Sequence, residues 1–183
     1  MRLPNFVSVS GAALLLVLLS GCVPPGAATP PDPTATFVAP YATDEEALAA
    51  AEKAYADYVR VSAAMHVKGL GDPESLSSIA SGKHLAELLD EFDRLEAAEQ
   101  YILGEQTFDQ VVLQRYSRDG STKEIVAVYL CDDLSKLAIY NSGGKVGPTE
   151  PIAPARMQVV FDYSPESESL LVSARDIWNK EKC

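Results

Sequence analysis

Hydrophobic and polar positions follow four successive regimes along the chain. Residues 11–19 are an uncharged apolar run, Gly-Ala-Ala-Leu-Leu-Leu-Val-Leu-Leu. It is shorter than the roughly 20 apolar residues a membrane-spanning helix needs. Arg2 precedes it, and Ser20, Gly21 and Cys22 follow it. This is the layout of a secretory signal peptide over residues 1–21. Residues 23–42 have no hydrophobic period and hold Pro24, Pro25, Pro30, Pro31, Pro33 and Pro40. Proline fixes φ and lacks a donor, so residues 22–43 are expected to be an extended tether before the folded domain at 44–183.

Helical periodicity starts at Thr43-Asp44-Glu45-Glu46, a capping-box pattern with acids in the first turn. Leu48, Ala51, Tyr55, Tyr58, Ser62 and Met65 follow at spacings of three and four, one face of a helix that ends near Gly69 or Gly71. Asp72-Pro73 starts a second, short helix reaching about residue 80. A third covers residues 83–99, with Leu85, Leu88, Leu89, Phe92 and Leu95 apolar and Glu87, Asp90, Glu91, Asp93 and Arg94 on the wet side.

From Tyr101 the period shortens to two. Residues 108–116 read as a strand, and Asp119-Gly120 as a hairpin turn. Residues 124–131 are apolar on both alternating sets, which predicts a central strand covered on both faces. A short strand at 136–140 leads into a Gly/Pro-rich loop at 141–154. Residues 156–163 alternate, with Met157, Val159, Phe161 and Tyr163 on one face, and residues 169–178 form the last strand. Helices followed by antiparallel strands argue for an α+β domain with its helices packed on one face of a curved sheet.

Composition sets limits. The formal charge is −11, and removal of a leader carrying Arg2 takes it to −12. Such a surface repels phosphate backbones and anionic lipid headgroups, which argues against nucleic-acid binding and against electrostatic membrane attachment.

Leu19-Ser20-Gly21-Cys22 resembles the lipobox of bacterial lipoproteins. The resemblance implies diacylglycerol transfer to the Cys22 thiol, cleavage before Cys22 and acylation of the new amino terminus, which anchors the chain to the outer side of the cell membrane. The other reading is an ordinary signal peptide that ends near a cysteine. With Cys22 lipidated, Cys131 and Cys183 are an even pair in an oxidising compartment, where a disulfide is the default and two unrelated thiols the alternative.

The order helix, short helix at Asp72-Pro73, helix with Leu85-Leu88-Leu89, then hairpin strands resembles the NTF2-like fold, a sheet wrapped around helices into a cone. Closer still, the chain is similar to small NTF2-like lipoproteins of actinobacteria. The matching features are the lipobox, the Pro/Thr tether, Pro73 and Leu76 followed by Ile79-Ala80-Ser81-Gly82, Cys131-Asp132 at a strand end, and the closing cysteine.

Chemistry-bearing motifs are sparse. Gly143-Gly144-Lys145 lacks the strand and helix of a phosphate loop, and there is no nucleophile elbow. His66 and His84 are 18 apart without ligand spacing, so no metal and no cofactor is expected. His84 beside Lys83 reads as solvated, and His66 suits the end of its helix. The NTF2-like fold hosts isomerases and dehydratases, which need a desolvated acid in the cone. Asp109 and Asp162 are the strand carboxylates that could fill that role, although open-face polar residues are the plainer reading. Tyr55, Tyr58, Tyr101, Tyr116, Tyr129 and Trp178 are candidates to line a pocket. Three functions stay open: a non-catalytic envelope module binding a small apolar ligand or another envelope protein, an isomerase or dehydratase, and a structural spacer or assembly partner.

Overall fold

A computed structural model describes residues 37–67, 73–179 and 183. The leader, Cys22 and the tether up to residue 36 lie outside these residues, as do Gly69, Gly71 and the Asp72 cap.

Helix α1 spans Asp44–His66, with Glu46 N–H donating to Thr43 Oγ1 at 3.2 Å and Ala42 N–H to Glu46 Oε2 at 2.8 Å. The Thr43 cap forms as its spacing requires, while Glu46 reaches back one residue further than a capping box, to Ala42 N–H. Ala47, Ala51, Tyr55, Tyr58, Ser62 and Met65 are its buried face, so Ala47 replaces the half-buried Leu48 in the expected stripe. The short second helix is a 3-10 helix, Pro73–Ser78. Helix α2, Gly82–Ala97, buries His84, Leu88, Phe92 and Leu95. Its inner face is slightly rotated from the expected one, keeping Leu88, Phe92 and Leu95: Leu89 turns to solvent and His84 turns inward. This corrects the reading of His84 as a solvated residue.

Seven strands follow: β1 (Tyr101–Leu103), β2 (Thr107–Tyr116), β3 (Glu124–Asp133), β4 (Ala138–Asn141), β5 (Gly144–Gly147), β6 (Ala155–Ser164) and β7 (Ser169–Asn179). They form two antiparallel sheets, ordered β2-β3-β6-β7 and β1-β4-β5. The architecture is α+β, with α1 and α2 packed on the four-stranded sheet. As expected, β3 is central, and Val126, Val128 and Leu130 point from it into the core. Part of the loop expected at 141–154 is strand β5, hairpinned onto β4 with the turn at Asn141–Gly144. The free edge of β7 is partly covered: Val172 N–H donates to Ile79 O and Ser81 N–H to Val172 O, both at 2.9 Å.

One irregularity positions the site. In β7, Val172 pairs with Phe161 and Ala174 with Val160, so Ser173 is an extra residue. Its hydroxyl donates to Val160 O at 3.2 Å. Such a bulge reverses the in–out alternation. Leu170 and Val172 face the core before it, and Arg175 faces the core after it.

Cys131 and Cys183 form a disulfide with Cα atoms 5.7 Å apart, across a sequence separation of 52. The pairing expected from cysteine counting is present.

Candidate functional site

The interior of the domain holds a carboxylate. Asp132 continues the inward alternation of Val126, Val128 and Leu130, and its side chain is 1% exposed. A buried charge is tolerable only when it is paired and fully hydrogen-bonded. Tyr55 OH donates to Asp132 Oδ2 at 2.7 Å, and Gln106 Nε2 donates to Oδ1 at 2.8 Å and Oδ2 at 3.0 Å. The Arg175 guanidinium pairs with the same carboxylate, and its Nε donates to Tyr55 OH at 2.9 Å. Burial acts to lower the Arg175 pKa, but Tyr55 and Asp132 outweigh it and hold the guanidinium charged. Burial drives the Tyr55 phenol far above its usual range, with Asp132 acting the same way and Arg175 against it. Tyr55 stacks on Tyr58 at 5.4 Å and meets the edge of Phe108 at 4.9 Å, which locks its hydroxyl in place.

Beside this network lies a cavity of about 240 Å³. Helices α1 and α2 contribute Tyr58, Ser62, His66, Leu88 and Glu91 to it, and β7 contributes Arg175. The small sheet and its loops contribute Ile102, Gln106, Leu134, Leu137, Ala138, Ile139, Pro148 and Ile152. The lining combines hydrocarbon side chains with polar ones. Tyr58 OH lies 3.2 Å from His84 Nε2. Burial lowers the His84 pKa, Arg175 adds to this, and Glu87 and Glu91 oppose it. Glu91 lies 3.7 Å from His66 Nε2. His66 holds the Glu91 carboxyl below its usual range against the opposing effect of burial.

Among the described residues, the buried side-chain polar atoms without a hydrogen-bond partner are Ser62 Oγ and His66 Nε2, and both residues line this cavity. Ser62 is 3% exposed. Burial raises the pKa of the Tyr58 phenol, and a hydrogen-bond-type contact from the Ser62 hydroxyl, the last-ranked influence, acts against it, yet Ser62 Oγ meets no partner in full hydrogen-bond geometry. Leaving a buried hydroxyl unpaired costs about 1–3 kcal/mol, which a bound molecule could recover.

The residues expected to form a site are scattered. Of the six aromatic candidates, Tyr58 lines the cavity and Tyr55 lies directly behind it in the core. Tyr101 stacks on Tyr140 in the small sheet, 5.9 Å apart. Tyr116 OH donates to Tyr41 O at 2.8 Å and accepts from Tyr41 N–H at 2.9 Å. Tyr129 packs against Trp178 at 4.6 Å, and Trp178 is 50% exposed.

Asp109 and Asp162 do not come together. Asp109 is exposed and pairs across the sheet with Cys131, itself opposite Arg156. Asp162 lies six residues further along β6, about 20 Å at roughly 3.3 Å per residue. It accepts from Ser81 Oγ at 2.8 Å and borders an open recess of about 640 Å³ beside the β2–β3 hairpin. That recess is larger than the cavity but borders no buried polar atom lacking a partner among the described residues.

The polar residues of the site were not singled out by their types. Asp132 had one legible signal, a carboxylate continuing the inward series of an otherwise apolar strand. Arg175 had none, because its inward orientation depends on the bulge at Ser173. Among the described residues, no group of three His, Cys, Asp or Glu side chains could hold a metal ion, and no helix is long and apolar enough to cross a membrane.

No protein-family model and no curated protein matches the chain. Among solved structures it is similar to the crystal structure of the intermembrane space region of chloroplast protein ARC6, with 10% identity and a TM-score of 0.52 over 69% of this chain and 92% of that one. At that identity the likeness is one of fold.

Proposed function

We propose that this chain is a lipid-anchored module of the cell envelope, held at the outer face of the membrane through Cys22, and that its domain is an NTF2-like cone binding a small, largely apolar ligand. The observation that carries the binding reading is the cavity of about 240 Å³ lined by Ser62, whose buried hydroxyl has no partner in hydrogen-bond geometry. Its volume lies between the roughly 150 Å³ that accepts benzene in an engineered cavity and the roughly 300 Å³ at which drug-sized pockets begin.

Binding is favoured over isomerase or dehydratase chemistry by the state of the acid in the cavity. Such chemistry wants a carboxyl whose pKa is raised toward neutrality, whereas Glu91 is held low by His66. Asp132 is committed to Tyr55, Gln106 and Arg175. The lipid anchor rests on Leu19-Ser20-Gly21-Cys22, and the NTF2-like reading on the order of elements and a cavity enclosed between helices and sheets.

Two measurements test the two halves. Cys22→Ser should move the protein out of the membrane fraction, and firm retention would refute the anchor. Native mass spectrometry of the purified chain should show a bound small molecule that Ala138→Phe, which fills the cavity, displaces. An identical adduct in the filled variant would refute the cavity as its site.

A further inference from the structure

We propose that the cavity selects an uncharged amphiphile, a compact hydrocarbon body ending in one hydroxyl that hydrogen-bonds Ser62. This rests on the reading of the cavity as a ligand site and adds the chemistry of the head group. The guanidinium in the lining already has an opposite charge against it. Arg175 is spent on Asp132, and its Nε on Tyr55. Glu91 faces His66 at 3.7 Å and also feels Arg94 and Arg175. A carboxylate entering this space would leave water without a free guanidinium, and an ammonium would meet a Glu91 carboxylate already in the field of Arg94 and Arg175, so neither recovers its desolvation cost from the apolar wall.

The unspent hydrogen-bonding capacity lies on Ser62, His66 and Gln106. Ser62 Oγ has no partner in hydrogen-bond geometry. Gln106 uses its Nε2 on both oxygens of Asp132, which orients the carbonyl Oε1 as an acceptor. A hydroxyl both gives and takes a hydrogen bond, so it complements such a set, while the hydrocarbon body packs against Leu88, Leu137 and Ile139. A small hydrocarbon without a polar atom would leave Ser62 orphaned.

The test uses the full chain in lipid nanodiscs at pH 7, with empty nanodiscs subtracted, titrated calorimetrically with cyclohexylmethanol, cyclohexanecarboxylate and cyclohexylmethylamine. The alcohol should bind at least about tenfold more tightly than either charged analogue. Ser62→Ala should weaken the alcohol by about fivefold, the worth of one hydrogen bond, and leave the other two unchanged. Ser62→Cys, which keeps the volume and weakens the donor, should fall between. A carboxylate or amine that binds as well as the alcohol overturns the head-group assignment and leaves the cavity a ligand site. Failure of all three overturns the ligand-site reading itself. Alcohol binding indifferent to both Ser62 variants, with their helix content intact, overturns the placement of the hydroxyl.

Discussion

Asp132 decides how the inside of this domain is built. It accepts hydrogen bonds from Tyr55 and Gln106 and pairs with the Arg175 guanidinium, and each partner comes from a different element: α1, the β1–β2 loop and β7. Removing one partner of a buried ion pair is more costly than never having made the pair. Arg175→Met should therefore destabilise the domain by about 3–5 kcal/mol, read as a fall in the urea midpoint. Adding Asp132→Asn to that variant should recover part of the loss, because the orphaned charge disappears. His84 gives a second residue-scale prediction. Its folded-state pKa is lowered from 6.5 by burial and Arg175, so the unfolded chain binds the proton more readily. Its contribution to stability is complete above pH 6.5 and is lost as pH falls from there toward the folded value. Glu91, also lowered, loses its contribution in the same direction but below the ordinary glutamate range. Between pH 7 and 5, His84→Gln should lose less stability than the parent. The difference is capped at about 1.4 kcal/mol per pH unit for one proton.

At the scale of elements, the segment entering α1 is tied to the sheet rather than left as an extended tether. Residues 23–42 were expected to be unpacked throughout, yet Tyr41 exchanges two backbone hydrogen bonds with the Tyr116 hydroxyl at the end of β2. The Tyr41 ring also packs against Tyr116 and, edge-on, against Tyr163. Burial, with Tyr163 and Tyr116 alongside, pushes the Tyr41 phenol up to about 12, so it stays protonated. Phe37 lies over the β2–β3 hairpin where Gly120 has φ +65°, and a Cβ there would come within 2.2 Å of the Phe37 ring. Proline-rich composition predicts extended backbone but is silent on where that backbone first finds aromatic partners. Tyr116→Phe removes both hydrogen bonds and should cost about 1–2 kcal/mol. Limited proteolysis should then cut before Asp44 faster than in the parent, and an unchanged cleavage rate would show that the rings alone hold the segment.

For the whole molecule, the disulfide joins the chain's last residue to the central strand next to Asp132. Closing a loop with a sequence separation of 52 is worth up to about 4 kcal/mol in the chain-entropy account. Replacing both cysteines by alanine should lower stability by no more than that, and reduction of the parent should match the double variant. The cavity lies near the end of the sheet where Asp132 and Gln106 sit, while Phe37 and Tyr41 are fixed at the hairpin end. The site and the point where the chain enters the domain thus occupy opposite ends of β2.

The amino-acid sequence by itself determined the helix–helix–strand order, the cap at Thr43, the central place of β3, the inward set of β6 and the pairing of Cys131 with Cys183. Each depends on local spacing, on propensity, or on a count that allows few alternatives. The rotation of α2 that buries His84 was decided by packing against distant segments, and the strand at 144–147 and the bulge at Ser173 by cross-strand pairing within hairpins, neither of which single-strand periodicity encodes. The candidate site belongs to this second group. Ser62 reads as one more small residue on a helical stripe, Glu91 as one more acid on a wet face, and Arg175 as one more residue of the last strand. They share a cavity only because a single bulge and a small rotation of one helix bring them to the same end of the sheet.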